Sequence, residues 1–322
     1  MARTSIKSIV VAIGDPYARK QLALAKAVAI ARQCRGRLTL VHAFSLPYPL
    51  PDPMTVESSE QLIDSIRTAQ QQQLQKLVRP LIQSGLDVKC EVVWDFPVYD
   101  AIVRFVSKHK PDLLVVASHR HGILSRWLLA NTDWELIRSC PCPLWFVKTP
   151  RLPTTLNMVA AVDPLHAHAK PAELDQRILD FAHSIERNFD SQLSLCHAYA
   201  VPNGHDVNTT AASTRSTSTS QRARIHAAQA KKAFVELAIR SAVAPRNRFL
   251  ESGEPAAVIP KVARKVHAHA VIMGAVSRSA VGRAFIGSTA EKVIDHLACD
   301  VIIIKPAGFK TAVSRRPAAL KF

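Results

Sequence analysis

Apolar runs alternate with amphipathic segments along the first half of the chain. Residues 6–13 are mostly apolar and β-branched, which predicts a strand buried on both faces. Residues 21–32 carry apolar side chains at helical spacing, which predicts an amphipathic helix. The same patterns predict strands at 38–41, 88–94, 113–117 and 144–147, and helices at 59–84, 98–108 and 132–139. This alternation requires right-handed crossovers, so it predicts a doubly wound, five-stranded parallel sheet.

The second half of the chain repeats the first. The segment around His42 recurs around His197, 155 positions later, and 114–117 recurs as 271–274, 157 positions later. Equivalent strands are expected near Val159, Leu193, Phe249, Val271 and Val301. The sequence therefore predicts two tandem Rossmann-like α/β domains, at residues 1–150 and 155–309, followed by a basic tail at 310–322.

Between the predicted second strand and the next helix of the second domain, residues 202–222 are rich in Ser, Thr and Asn. This composition is too polar to bury, so we expect a disordered surface loop there.

Composition excludes several classes of protein. Of 322 residues 48% are apolar, and the longest apolar runs are far too short to span a membrane. The amino terminus lacks a small-residue cleavage site, so we expect a cytoplasmic protein with no membrane partner. Six cysteines without a Cys-x-x-Cys pair are too sparse for a disulfide framework and are expected to be packing residues.

The charge is strongly positive. The chain carries 42 Lys and Arg against 25 Asp and Glu, a formal net charge of +17. Such a charge favours contact with polyanions. No basic cluster is interleaved with aromatic residues, so we expect a solvated basic surface and only weak, non-specific binding to nucleic acid. A polyanion-binding function remains an alternative.

The loop after the fourth strand of the second domain carries the main functional signal. Gly274, Ser277 and Gly287 are small residues that allow a ligand to approach the backbone, and Ser288 with Glu291 is a capping-box pattern that starts a helix. A helix amino terminus with two hydroxyls, those of Ser288 and Thr289, suits a phosphate.

This loop resembles the Gly-x-x-Gly-(nine residues)-Gly-Ser/Thr signature of the universal stress protein family, and Ala290-Glu-Lys-Val-Ile294 is similar to the helix start of many members. The two-domain length also matches tandem members. Those of the E type are the most similar, because the first domain carries His119-x-His121 and a Cys140-Pro-Cys142 segment.

The resemblance implies an ATP-binding, ligand-sensing stress-response protein. In nucleotide-binding members an Asp at the end of the first strand meets the adenine, and Asp163, after Val162, occupies that place. Ala198 would line the base, Met273 and Gly274 would border the ribose, and Ser277, Gly287, Ser288 and Thr289 would surround the phosphates. Ser277 stands where the family has its second glycine, which puts the tightest backbone geometry of the loop in doubt.

The first domain departs further from the signature, with Ala117, Arg120, Ala130 and Asn131 at its four positions. Asp133 adds a negative charge near that helix start, so we expect no nucleotide there. All four tryptophans, Trp94, Trp127, Trp134 and Trp145, lie in this domain. They are expected in the core, but a cavity for an apolar, lipid-like ligand is an alternative.

Other chemistry is weakly indicated. His119 and His121 with Cys140 and Cys142 leave a zinc site open, although no spacing forces the four together. There is no legible catalytic triad, carboxylate pair or Walker lysine, so we expect at most slow ATP hydrolysis.

By analogy with dimers of the family, we expect the final strands of the two domains to face each other across a pseudo-two-fold axis. One chain would then be equivalent to a dimer, which leaves open a larger homo-oligomer.

Overall fold

A computed structural model describes residues 5–45, 56–117, 131–149, 152–165, 173–199, 215–275 and 288–315. Each half of the described chain contains five strands. In the first half they are β1 (Ser8–Ala12), β2 (Arg37–Phe44), β3 (Val88–Trp94), β4 (Leu113–Ala117) and β5 (Leu144–Val147). In the second half they are β6 (Leu156–Ala161), β7 (Ser191–Tyr199), β8 (Arg248–Ser252), β9 (Ala270–Gly274) and β10 (Asp300–Ile304). These strands confirm the predicted fold class.

The described helices alternate with the strands. They are α1 (Leu22–Cys34), α2 (Val56–Gln83), α3 (Val98–His109), α4 (Asn131–Ser139), α5 (Glu173–Glu186), α6 (Arg215–Arg240), α7 (Pro255–Lys265) and α8 (Ser288–His296), with a short 3₁₀ helix at Pro245–Asn247. Among the described helices none is both long enough and apolar enough to cross a membrane.

One prediction about a loop was wrong. We expected a disordered loop over 202–222, but α6 begins at Arg215, so 215–222 is helical. This segment contains neither Pro nor Gly, and it continues without a break into a helix that buries Ala230, Phe234 and Leu237. Tertiary packing of that helix outweighs the weak helical preference of Ser and Thr. The rest of the predicted loop lies outside the described residues.

The ten strands form one sheet with the order β3-β2-β1-β4-β5-β10-β9-β6-β7-β8. Each half has the same doubly wound order, in which the first strand lies at the centre. The halves join where β5 and β10 pair antiparallel, with Trp145 opposite Ile302. These two residues are equivalent in the repeat, so the pair marks a pseudo-two-fold axis between the final strands, as expected from the family's dimers.

The two faces of the sheet are covered by different helices. One buried cluster draws side chains from α1, α2, α5 and α6, and the other from α3, α4, α7 and α8, and both clusters combine residues of the two halves. The halves therefore share both layers of their core, which couples their stability.

Candidate functional site

The predicted ligand residues that the structure describes lie at the carboxyl ends of three adjacent strands. Val162 and Asp163 follow β6, Ala198 is near the end of β7, and Met273 and Gly274 end β9. Because β6 lies between β7 and β9, these residues share one edge of the sheet. The crossover connections change side at the first strand of each half, and such a point opens the crevice in which doubly wound folds bind ligands.

Asp163 is the charged residue at the centre of this edge. It is only 8% exposed, and its backbone N–H donates to both carboxylate oxygens of Asp175 on α5, at 3.1 and 3.0 Å. Its own Oδ2 has no hydrogen-bond partner among the described residues. A buried carboxylate oxygen in this state is a strong acceptor that requires a donor.

A buried histidine holds the backbone next to Asp163. The Nδ1 of His197, on β7, lies 3.0 Å from the carbonyl oxygen of Val162. In the first domain, the Nδ1 of His42 lies 2.7 Å from the carbonyl oxygen of Ile13. A carbonyl only accepts, so each Nδ1 carries the proton. Burial, as the main cause, lowers the pKa of His42. The repeated histidines therefore share a structural role at the end of the first strand.

Gly274 has a packing role that the sequence did not reveal. A Cβ at this position would lie 2.5 Å from Cδ2 of Leu174, a fully buried residue on α5. The glycine therefore allows α5 to approach the end of β9, whatever its role towards a ligand. Its equivalent in the first domain is Ala117.

The phosphate part of the predicted site is described only at its helix. Ser277 and Gly287 lie outside the described residues, as do the side chains of Ser288 and Thr289. The helix α8 begins at Ser288, as predicted. Glu291 in its first turn lies 3.3 Å from Arg138 of α4, so the pairing compensates the negative charge at the start of this helix.

The other end of α8 is capped by the first domain. The buried Nζ of Lys148, directly after β5, donates to the carbonyl oxygens of Ile294 and Leu297 at 2.8 Å each. The Nζ of Lys305, directly after β10, donates to the carbonyl oxygen of Arg138 on α4 at 3.1 Å. Burial lowers the pKa of both lysines, that of Lys305 to about 8. Each domain thus caps a helix of the other.

The strand register shows how the two domains differ at the end of the first strand. Ala12 pairs with Val116 in the first half and Ala161 pairs with Met273 in the second, so Ala12 and Ala161 are equivalent. Two residues further along the chain, Gly14 is therefore the equivalent of Asp163. The neighbouring Asp15 is exposed, and its carboxylate accepts the backbone N–H of Tyr17 at 2.8 Å. The first domain therefore has no buried carboxylate at this place.

The helix starts differ as well. Asp133 is buried in the first turn of α4, where α8 has Ala290. The two helix starts therefore differ in the residue at this position of the first turn. Of the other residues that mark its lost signature, Arg120 and Ala130 lie outside the described residues, and Asn131 begins α4.

Of the four residues of the possible zinc site, the structure describes only the two cysteines. Cys140 and Cys142 are buried, with their sulfurs 3.6 Å apart, and burial raises the pKa of the Cys142 thiol. His119 and His121 lie outside the described residues. Within the described ranges no group of three or more His, Cys, Asp or Glu side chains is arranged to hold a metal. All six cysteines are free.

The described tryptophans belong to the protein core. Trp145 is fully buried, and Trp94 and Trp134 pack against the two buried clusters. Trp127 lies outside the described residues. Their packing favours the core interpretation over the lipid-like cavity.

Sequence reasoning missed a buried polar centre that joins the two halves. Lys26 of α1 pairs with Asp300 of β10 at 2.9 Å, with side-chain exposures of 1% and 0%. Asp300 also accepts from the Trp145 indole at 2.9 Å and from the backbone and hydroxyl of Thr149 at 2.9 and 3.0 Å. The only sequence signal was a charged residue at the start of an otherwise apolar strand.

The fold is that of the doubly wound α/β proteins, with a carboxylate at the switch point of its second half. Comparison with known proteins specifies the family. A model of the universal stress protein family matches residues 5–148 and 158–305. The chain therefore belongs to the universal stress protein family, with two tandem domains of that type.

Two curated relatives match over nearly their whole length. Universal stress protein E of Photorhabdus laumondii subsp. laumondii is 28% identical over 312 residues, covering 93% of this chain and 95% of the relative. Universal stress protein E of Escherichia coli K12 is 26% identical over 305 residues, covering 93% and 94%.

Solved structures share the fold. A protein of unknown function from Pseudomonas aeruginosa PAO1 superposes with a TM-score of 0.72 at 24% identity, covering 95% of this chain and 94% of its own. A universal stress protein from Archaeoglobus fulgidus gives 0.62 at 15% identity, covering 95% and 99%. At these identities the likeness establishes the fold alone.

Proposed function

We propose that this protein is a cytoplasmic stress-response protein that senses a small ligand, and that the ligand is ATP bound in the second domain. The observation that carries the proposal is Asp163, a buried carboxylate with an oxygen that lacks a partner among the described residues. It lies where the crevice of a doubly wound sheet is expected. The exocyclic amine of adenine is a donor of the kind this oxygen requires.

The geometry around Asp163 supports an orienting role for this residue. Its backbone is fixed by Asp175, and the preceding carbonyl is fixed by His197. A carboxylate on a backbone held in this way is positioned before a ligand binds, so its hydrogen bond contributes to affinity and selectivity. Ala198 at one side and Met273 at the other supply apolar atoms for the base and the ribose.

The phosphates would meet the amino terminus of α8. The backbone N–H groups of its first turn and the helix dipole favour an anion. Arg138 compensates Glu291, the acidic residue in that turn. The first domain has Gly14 and Asp133 in place of these features, so we propose a single nucleotide site per chain.

The proposal is tested by calorimetric titration of the full chain with ATP. We expect one site, and we expect Asp163→Ala to lower its affinity at least tenfold, which corresponds to about 1.4 kcal/mol. Asp15→Ala is the matched control, because Asp15 lies in the loop after β1 of the other domain. Unchanged affinity in Asp163→Ala, with the fold intact by circular dichroism, would refute the assignment.

A second set of variants tests the phosphate loop. Gly287→Val places a branched side chain where a phosphate must approach the backbone, so it should abolish binding. Ser288→Ala removes one hydroxyl and should only weaken it. The corresponding changes Ala130→Val and Asn131→Ala in the first domain should leave ATP affinity unchanged. If they weaken it as much as Gly287→Val does, the nucleotide is not confined to the second domain.

A further inference from the structure

An open groove at the opposite edge of the first domain has four cations among its ten lining residues. It has a volume of about 620 Å³ and lies where α1 and α2 end and where the strands β1 to β3 begin. Four of its lining residues are the exposed cations Lys7, Arg32, Arg35 and Arg37, and Asp87 is the acidic one. The groove therefore carries a formal charge of +3, four positive charges and one negative.

Hydrogen bonds and close packing hold the backbone that carries these cations. The N–H of Arg37 donates to the carbonyl oxygen of Lys7 at 2.9 Å, and the N–H of Gly36 donates to the carbonyl oxygen of Ala31 at 2.9 Å. A Cβ on Gly36 would lie 3.1 Å from the carbonyl oxygen of Lys7, so the turn is close-packed. Arg35 has a left-handed backbone, with φ of 48°, which directs the chain sharply from α1 into β2.

Two of the cationic side chains are oriented by hydrogen bonds to neutral groups. Lys7 Nζ donates to the carbonyl of Cys34 at 2.6 Å, and Arg32 donates to the hydroxyl of Ser84 at 3.0 Å. None of the four cations forms an ion pair with another residue of the described ranges. The nearby Asp112 is engaged by the backbone N–H groups of Lys7 and Ser8 at 2.8 Å. The positive charge is thus concentrated and largely uncompensated.

The second domain shows that the fold does not require these charges. Ser8 pairs with Arg37 on β2, and Asn157 pairs with the equivalent residue Gln192 on β7. Ser8 therefore corresponds to Asn157. Lys7 then corresponds to Leu156, Arg37 to Gln192 and Arg35 to Asp190, and the place of Arg32 is taken by Arg187. Basic residues at a helix end stabilise its dipole. That need is the same in both domains, so it does not explain a cluster present in only one.

From this groove we infer a second ligand site, which binds a small anion with several linked phosphates. Guanidinium groups match phosphate oxygens in paired hydrogen bonds, and the lysine adds a point charge. A volume of about 620 Å³ is that of a small-molecule site. Inorganic polyphosphates and nucleoside polyphosphates share this chemistry. The site lies at the amino ends of the strands, away from Asp163 at a carboxyl end, so it is independent of the proposed ATP site.

The test is a calorimetric titration of the full chain with inorganic tripolyphosphate at 0.15 M salt. We expect saturable binding, and we expect the double variant Arg35→Gln/Arg37→Gln to weaken it at least tenfold. The control Arg240→Gln/Arg246→Gln removes two exposed arginines of the second domain, so it makes the same change in net charge. It should weaken binding less than twofold. Arg32→Gln, a single change on α1, should weaken binding several-fold and guards against a folding defect in the double variant.

Each contrary outcome is distinct. Equal losses in the control would show a diffuse charge effect and overturn the site, as would the absence of saturable binding to the wild type. Loss of tripolyphosphate binding in Gly287→Val, with Arg35→Gln/Arg37→Gln unaffected, would place the anion at the proposed ATP site instead. Failure of ATP binding alone would overturn only the proposed function.

Two further titrations identify the source of the ligand. If ATP competes with tripolyphosphate in the Asp163→Ala variant, the groove accepts nucleoside polyphosphates, and if it does not, the groove is restricted to the inorganic chain. Duplex DNA that binds more tightly than tripolyphosphate at this salt, and loses that binding in Arg35→Gln/Arg37→Gln, would overturn the small-anion assignment in favour of a nucleic-acid surface.

Discussion

The buried pair between Lys26 and Asp300 offers the sharpest test of how the two halves are held together. In Asp300→Asn the amide has nearly the same shape as the carboxylate. Its oxygen can still accept from the backbone N–H groups of Lys148 and Thr149, which lie 2.9 Å from Oδ1. Its NH₂ group, however, would face Lys26 and the Trp145 indole, two donors that each lie 2.9 Å from Oδ2.

The expected cost follows from this geometry. The lysine keeps a buried positive charge and loses the carboxylate that balances it, and removal of one partner of a buried pair costs about 3–5 kcal/mol. Asp300 lies on β10, whereas Lys26, Trp145 and Thr149 belong to the first half. The loss should therefore also weaken the coupling between the halves.

Urea unfolding followed by circular dichroism measures both effects. We expect Asp300→Asn to lower the free energy of unfolding by about 3–5 kcal/mol and to broaden the transition. Asp64→Asn is the matched control, because it breaks an ion pair with Arg67 whose side chains are 71% and 46% exposed. Such a pair contributes less than about 1 kcal/mol.

A double-mutant cycle with Lys26→Met completes the experiment. We expect the double variant to be less unstable than the sum of the single changes by at least about 2 kcal/mol, because removing both charges leaves no buried charge without its partner. A cost below about 1 kcal/mol for Asp300→Asn, or additive effects in the cycle, would refute the reasoning.

Three further predictions concern a buried lysine, a packed glycine and the basic surface. Burial lowers the pKa of Lys305 from 10.5 to about 8. Between these two pH values the unfolded chain binds more protons than the folded chain. The free energy of unfolding of the wild type, relative to that of Lys305→Met, should therefore rise by about 3 kcal/mol from pH 7 to pH 11, as measured by urea unfolding at each pH. A difference that stays constant with pH would contradict this. Gly274→Ala should cost about 1–3 kcal/mol in thermal unfolding through its contact with Leu174, and much less in a Leu174→Ala background; equal costs in both backgrounds would rule out the contact as the cause. Duplex DNA should bind weakly at physiological salt, with an affinity that falls steeply as salt rises in fluorescence titrations, and tight sequence-selective binding would contradict the interpretation of the surface charge.

Local patterns in the sequence were sufficient to predict the strands and helices of the first half and their order along the chain. The predicted strands at 88–94, 113–117 and 144–147 match β3, β4 and β5, because apolar runs of strand length between helical segments have few other stable conformations. The repeat offset located the equivalent strands of the second domain. The sequence also placed Asp163 and the start of α8 at the edge where a doubly wound sheet binds ligands. The pairing of the final strands came from the resemblance to family dimers.

Contacts between distant segments were decided only by the tertiary structure. Nothing local in the sequence indicates that Lys26 meets Asp300, or that a Cβ on Gly274 would collide with Leu174. The same holds for the basic groove, because Lys7 and Arg37 become neighbours only through the pairing of β1 with β2. The helical conformation of 215–222 likewise depends on the packing of the helix that it extends. Side-chain periodicity reports which face of an element is buried, and the folded chain alone determines what that face is buried against.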